Sequence, residues 1–194
     1  MDIDPDTKLQ RLLGLDEREI QPEFTEFARK SSHYIDVGAS DGYYGLIYKK
    51  FNPQGQVFLI EADPKLAPEQ RHNMEMNAAG AGVEYLSLFV ASHDDERHIS
   101  IDAIAQKVNP TGLFVKIDVE GAELDVLHGM KDSLANRACH VLIETHSKEL
   151  ENQCMEFLQG YGYYCKIIDN AWWRSIVPES RQIEHNRWLA ATKK

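Results

Sequence analysis

The sequence predicts an α/β fold built on a mostly parallel sheet. From residue 33 onward, short apolar runs alternate with helix-like segments, which is typical of consecutive βαβ units. A turn with two glycines follows the first apolar run, and acidic residues stand at the ends of three later runs, at Glu61, Asp118 and Glu144. Strand ends in an open parallel sheet form the edge that binds ligands, so these features predict a site there.

Length and composition indicate one domain and exclude several classes of function. The 194 residues suit one core, with 1–32 as a helical lead-in and 33–194 as the α/β core. The net charge of -10 opposes binding to a nucleic-acid backbone. No apolar run approaches the ~20 residues of a membrane span. The start "MDIDPDTKLQ" has no signal-peptide pattern, so a cytoplasmic location is expected.

The strands are predicted from apolar runs bounded by turn residues. In order, these runs are "HYIDVGA", "QVFLIEAD", "VEYLSLFVAS", a short strand or hairpin arm at "ERHISID", "LFVKIDV", "HVLIETH", "YYCKII" and "RWLAATK". The last two are joined without a helix, so they are expected to pair antiparallel. Aromatic residues near the end favour core packing, while Trp172-Trp173 lies in the loop between these strands. That pair is a candidate for an acceptor contact or for a homo-oligomer interface.

The helices are predicted from spacing and caps. Apolar positions between residues 5 and 30 suit one or two short helices, and "YYGLIYKKF" forms the next one. Asp63-Pro64 resembles an N-cap followed by a first-turn proline, opening a helix to about Asn77. A single helix after Gly121 is expected to place Leu124, Leu127, Met130 and Leu134 against the sheet. A further helix is predicted over "KELENQCMEFLQGYG" and is expected to end at glycine.

The turn "YIDVGASDGYYG" favours a nucleoside ligand without a phosphate. Gly38 and Gly42 have G-x-x-x-G spacing, unlike the G-x-G-x-x-G of dinucleotide-binding turns, and Asp41 would repel a pyrophosphate. Glu61 ends the second strand, where an acid binds ribose hydroxyls. S-adenosylmethionine, an adenosine compound carrying a sulfonium cation, satisfies both features. The alternative is an ordinary glycine turn with an unrelated strand-end glutamate.

The sequence resembles the FkbM-type S-adenosylmethionine-dependent methyltransferases. The resemblance lies in "YIDVGASDGYY", "IEADP", "SIDAIA", "VKIDVEGAELDVLHGM" and "VLIETH", within residues 33–146. Ser40-Asp41 replaces the asparagine common in that family's first loop. The resemblance implies a Rossmann-like class I methyltransferase fold, with a seven-stranded sheet, one antiparallel strand and helices on both faces. It also implies an acceptor hydroxyl on a sugar, a glycosylated natural product or another small molecule.

By position, the resemblance assigns the cofactor contacts. The methionine end would lie at the first turn, the ribose near Glu61 and the adenine near Ala91. The full cofactor-binding set is Asp36, Gly38, Ala39, Ser40, Gly42, Tyr43, Glu61, Ala62, Ala91 and Asp118.

The candidate catalytic residues are Asp118, Glu144 and His146. By the class I strand order that the resemblance implies, the strands ending in Asp118 and Glu144 should be neighbours, and alternation places Glu144 and His146 on one face. A carboxylate or imidazole there could remove the proton of an acceptor hydroxyl. The same groups could hold a divalent cation, although no ligand spacing in the sequence requires one.

Other acids and other functions have competing interpretations. Glu120 is interpreted as a structural residue that bonds backbone N–H groups or caps the helix beginning near Gly121, and Glu123 with Asp125 as water-facing residues of the first helical turns. A nicotinamide-dependent oxidoreductase shares the fold but favours a third glycine in the turn and no Asp41. A non-catalytic nucleoside-binding protein of the same fold is the remaining alternative.

Overall fold

The computed structural model describes residues 17–108, 110–169 and 187–193. Its strands are β1 (His33–Val37), β2 (Gln56–Ile60), β3 (Val83–Leu86), β4 (Phe89–Val90), β5 (His98–Ile99), β6 (Leu113–Ile117), β7 (Cys139–Thr145), β8 (Tyr163–Ile168) and β9 (Arg187–Lys193). Its α-helices are α1 (Gln21–Lys30), α2 (Tyr43–Phe51), α3 (Ala67–Met76), α4 (Ile101–Val108), α5 (Glu123–His128), α6 (Lys131–Asn136) and α7 (Lys148–Gly160). Short 3-10 helices cover Arg18–Ile20 and Pro64–Leu66.

A seven-stranded sheet in the order β3-β2-β1-β6-β7-β9-β8 forms the centre of the described structure. β9 runs antiparallel to β7 and β8, and the other neighbouring pairs are parallel. This confirms the predicted fold class and the antiparallel closing pair. Val37 is in register with Ile60 and Ile117, so the carboxyl ends of β1, β2 and β6 align at one edge.

Each face of the sheet packs against an apolar helical layer. On one face, Phe24 from α1 stacks edge-on against Phe114 of β6, with 5.0 Å between ring centroids. On the other face, Val126, Leu127 and Met130 join the buried cluster around Val115. Burial of each such side chain contributes about 1.5–3 kcal/mol, which fixes the sheet edge that carries the site.

Two predicted elements differ from the structure. The third apolar run splits into β3 and β4, and β4 pairs in parallel with β5 as a separate two-stranded sheet. The segment after β5 forms α4, which the strand or hairpin interpretation of "ERHISID" did not include. Ser100 precedes α4, and its hydroxyl accepts a hydrogen bond from the Ala103 backbone N–H at 3.1 Å.

The single helix expected after Gly121 is interrupted at Gly129, and that prediction is wrong. A Cβ at Gly129 would lie 2.1 Å from the backbone oxygen of Ala91, so the chain passes too close for another residue. Asp102 of α4 accepts backbone hydrogen bonds from Asp132 and Ser133 at 2.9 and 2.8 Å. These bonds cap α6 and establish it as a separate helix.

Some sequence predictions fall outside the described residues. These include any helix within residues 1–16 and the Trp172-Trp173 pair. Among the residues the structure describes, no helix has both the length and the apolar character needed to cross a membrane.

Candidate active site

The turn after β1 brings two backbone segments into very close contact. Gly38 has φ +77°, and a Cβ added to it would lie 1.9 Å from the backbone oxygen of Asp118. Gly42, with φ +84°, begins the approach to α2. The predicted need for glycine therefore has a specific physical basis at Gly38, where a side chain would separate the ends of β1 and β6.

Side chains from two neighbouring elements hold this turn. The Gln70 side-chain amide donates a hydrogen bond to the backbone oxygen of Ser40 at 2.8 Å, and the Asn73 side-chain amide donates one to the backbone oxygen of Asp41 at 2.9 Å. The Glu61 carboxylate accepts backbone hydrogen bonds from Ser40 and Asp63, both at 3.0 Å. The turn is thus positioned before any ligand arrives.

A cavity of about 510 Å³ opens beside the turn, at the carboxyl edge of the sheet. Predicted cofactor residues that line it are Asp36, Gly38, Ala39, Ser40, Tyr43, Glu61, Ala62 and Asp118. Predicted residues that do not line it are Gly42, Ala91, Glu144 and His146. Ala91 is buried and touches Gly129, while its neighbours Leu88, Phe89 and Val90 face the cavity.

A buried lysine lies between two of the predicted acids. Lys116 Nζ is 3.1 Å from Asp118 Oδ2 and 3.9 Å from Asp36 Oδ1, and it lies over the rings of Tyr44 and Trp188. Burial lowers the pKa of Lys116, but the charges of Asp118 and Asp36 outweigh it and leave that pKa raised. The ammonium is therefore a permanent positive charge in the cavity wall.

Asp36 is almost fully buried in that wall. Neither of its carboxylate oxygens has a hydrogen-bond partner among the described residues. Burial raises the pKa of Asp36 to about 7, and the attraction of Lys116 offsets this only in part. Asp36 can therefore gain or lose a proton near neutral pH.

Glu144 and Asp118 lie side by side, as predicted from adjacent strands. Burial raises the pKa of Glu144 well above its ordinary value, and a hydrogen bond with Asp118 and the charge of Asp118 raise it further. Glu144 Oε2 is buried without a hydrogen-bond partner among the described residues. Glu144 therefore keeps its proton at neutral pH, while Asp118 pairs with Lys116.

His146 joins this cluster through its two ring nitrogens. Its Nε2 lies 4.0 Å from Glu144 Oε2, and its Nδ1 lies 2.6 Å from Glu123 Oε1. Glu123 is fully buried, so its interpretation as a water-facing residue is wrong, whereas Asp125 is exposed as expected. A carboxylate that accepts a hydrogen bond from Nδ1 fixes the orientation of the imidazole.

The acid cluster has a donor set that a metal ion could use. One donor atom from each of Asp118, Glu144 and His146 lies within 4.8 Å of the others. However, Lys116 already neutralises Asp118, and a cation at that distance opposes a second cation at the same carboxylate. This arrangement favours proton transfer over metal binding.

Sequence reasoning missed several residues of this site. Lys116 precedes Asp118 by two positions in a strand, so alternation alone places both side chains on one face. Phe89 is an exposed aromatic residue at the cavity. Glu120 lines the cavity, and α5 begins at Glu123 with Ala122 as its N-cap residue.

Comparison with known proteins supports a methyltransferase. Residues 88–165 match the methyltransferase FkbM domain family, a segment that contains Asp118, Glu144 and His146. A search of curated protein sequences gives no significant match.

Solved structures show the same fold at low identity. A precorrin-6y C5,15-methyltransferase from Geobacter metallireducens GS-15 is 17% identical with a TM-score of 0.59, covering 91% of this chain and 87% of that one. A SAM-dependent methyltransferase from Aquifex aeolicus is 14% identical with a TM-score of 0.56, covering 98% of both chains. A SAM-dependent O-methyltransferase from Thermotoga maritima is 13% identical with a TM-score of 0.60, covering 91% of this chain and 65% of that one. The seven-stranded sheet and the match over residues 88–165 therefore support an S-adenosylmethionine-dependent methyltransferase that is similar to the FkbM type.

Proposed function

We propose that the cavity beside Gly38 binds S-adenosylmethionine and that the protein methylates a hydroxyl oxygen of a small-molecule or sugar acceptor. The charge of the cavity carries this proposal. Among its described lining residues there are six carboxylates and one lysine: Glu17, Asp36, Asp41, Glu61, Asp118, Glu120 and Lys116. Such a lining attracts a cation and repels a pyrophosphate, which disfavours a nicotinamide dinucleotide.

The residues present fit this cofactor at both ends. Gly38 has no Cβ, so a ligand can reach the backbone, and the buried carboxylate of Asp36, 3.9 Å from Lys116, offers a counter-charge for a sulfonium or ammonium group. Glu61, already oriented by two backbone N–H groups, retains lone pairs for ribose hydroxyls. Phe89 offers an exposed ring for the adenine.

The acid cluster supplies the proton chemistry. S-adenosylmethionine, when bound, provides an electrophilic methyl carbon. Asp118 lies at the cavity and is the proposed acceptor of the hydroxyl proton, because Glu144 is already protonated. His146, held by Glu123, and Glu144 lie beside Asp118 and are the proposed residues that position it.

Calorimetry with S-adenosylhomocysteine and NAD tests the cofactor proposal. We expect the first to bind and the second not to bind; binding of NAD alone would support the oxidoreductase alternative. A methyl-transfer assay with sugars and other hydroxyl compounds then tests the reaction, using D118N as the variant. Cofactor binding without transfer to any acceptor would support the non-catalytic alternative.

The sugar class and assembly into a homo-oligomer are finer proposals. The first is supported by the family resemblance and the second by the aromatic content of the chain's last segment. Light scattering of the purified protein tests the assembly, and a monomer at micromolar concentration would contradict it.

A further inference from the structure

A second cluster of ligand-type side chains lies on the segment between β4 and β5. His93 Nε2 is 3.5 Å from Asp95 Oδ2, and His98 Nδ1 is 2.9 Å from Asp95 Oδ1. One donor atom from each of the three residues lies within 4.8 Å of the others. None of the three lines the cofactor cavity, so the proposed methyl transfer does not use them.

Backbone hydrogen bonds hold this segment in place. Asp95 Oδ1 accepts hydrogen bonds from the backbone N–H groups of Arg97 at 2.7 Å and His98 at 2.8 Å. The Asp95 N–H donates to the His98 backbone oxygen at 3.0 Å. Asp94 Oδ1 accepts from the Ser100 N–H at 2.7 Å. The central carboxylate is therefore oriented before a ligand binds, which reduces the entropy lost on binding.

Two separations in the cluster can be compared with those of a tetrahedral metal centre. Zn²⁺ holds imidazole nitrogen and carboxylate oxygen at about 2.0–2.2 Å, so its ligand atoms lie about 3.3–3.6 Å apart. The first separation, from His93 Nε2 to Asp95 Oδ2, is 3.5 Å, and the second, from His98 Nδ1 to Asp95 Oδ1, is 2.9 Å. The second is a hydrogen bond, and replacing its proton by a metal ion requires only a few tenths of an ångström of movement.

We propose that His93, Asp95 and His98 bind one divalent transition-metal ion of the Zn²⁺ class. Two imidazoles with one carboxylate suit Zn²⁺, Ni²⁺ and Cu²⁺, whereas Mg²⁺ and Ca²⁺ prefer oxygen ligands. All three side chains are at least partly exposed, so an ion can enter from solvent. Among the described residues, no lysine or arginine side chain is paired with Asp95, in contrast to Asp118 beside Lys116.

The position of the site gives the metal a structural consequence. His98 belongs to β5, and its ring lies 5.6 Å from the ring of Phe89 in β4. Phe89 lines the cofactor cavity. A metal ion would therefore link residues of the segment that supports this cavity wall.

Calorimetric titration of the full chain with Zn²⁺ tests the proposal. We expect one ion to bind with micromolar or tighter affinity, and the double variant H93A/H98A to lose at least tenfold in affinity. H72A is the matched control, because His72 is an exposed histidine on α3 outside the cluster. A parallel titration with Mg²⁺ should give much weaker binding.

Three results would overturn the proposal. These are the absence of Zn²⁺ binding at millimolar concentration, equal Zn²⁺ affinity in wild type and H93A/H98A, and Mg²⁺ binding as tight as Zn²⁺ binding. Zn²⁺ binding lost in H146A but retained in H93A/H98A would place the ion at the acid cluster instead. Circular dichroism of each variant verifies that the fold is retained.

Discussion

Substitution of the buried lysine by methionine tests the electrostatic account of the site. Lys116 is 1% exposed and lies 3.1 Å from Asp118 and 3.9 Å from Asp36. Methionine keeps an unbranched apolar side chain against Tyr44 and Trp188 but removes the charge. K116M therefore isolates the loss of the cation from a loss of packing.

The expected loss of stability is large. Removing one partner of a buried ion pair typically costs about 3–5 kcal/mol, because the remaining charge stays desolvated. Asp36, with a pKa raised to about 7, can take up a proton and so relieve part of this penalty. We therefore expect K116M to lower the free energy of unfolding by about 3 kcal/mol at pH 7.

Urea unfolding followed by circular dichroism measures this change. K166M is the matched control, because Lys166 is an exposed lysine paired with Glu23, and such pairs contribute about 0–1 kcal/mol. If K116M and K166M lost equally little stability, Lys116 would not be the counter-charge of a buried acid cluster, and the charge argument for the cavity would fail.

Three further predictions concern individual residues of the cavity. The pKa of Asp36 is raised from 3.8 to about 7, so the folded state binds more protons than the unfolded state between these values, and stability should fall as pH rises through them. D36N removes that fall, so urea unfolding should show the variant gaining stability relative to wild type from pH 5 to pH 8; a pH-independent difference would contradict this. G38A should abolish binding of S-adenosylhomocysteine in calorimetry, because the added Cβ would lie 1.9 Å from a backbone oxygen. The control G80A should bind normally, because a Cβ added at Gly80 has no atom within 4 Å. E61Q should weaken S-adenosylhomocysteine binding about tenfold, because it loses a charge-assisted hydrogen bond. The control E75Q, at an exposed glutamate, should bind as wild type does. Equal affinities in E61Q and wild type would remove Glu61 from the ribose site.

The sequence predicted well those parts of the fold that depend on local pattern. Apolar spacing and turn residues directly predict helices α2 and α7. They also predict the parallel strands of the main sheet, β1, β2, β3, β6 and β7. The class I strand order that the family resemblance implies also places the β6 and β7 strands side by side, as the structure has them. The α4 helix had a visible signal as well, with Ser100 as its cap and Ile101, Ile104 and Ala105 at helical spacing.

Features that depend on distant partners could not be predicted in this way. The break at Gly129 arises from its contact with Ala91, far away in the chain. Glu123 has the local pattern of a water-facing residue, and only its pairing with His146 explains its complete burial. In both cases the deciding contact joins segments whose proximity the sequence pattern does not encode.

A lysine in the wall of a proposed cation site would by itself oppose binding of a cation, but the surrounding carboxylates offset its charge. Asp36 and Glu144 are buried and Asp118 lies beside them with a side chain 19% exposed, so three ionised carboxylates there would repel one another. Lys116 compensates one charge, and the retained proton of Glu144 removes another. The charge that remains belongs to Asp36, whose oxygens have no hydrogen-bond partner among the described residues. Compensation of that last carboxylate is therefore left to a proton near neutral pH or to a positively charged ligand, which is why the cavity can stay folded when empty and still favour a sulfonium compound.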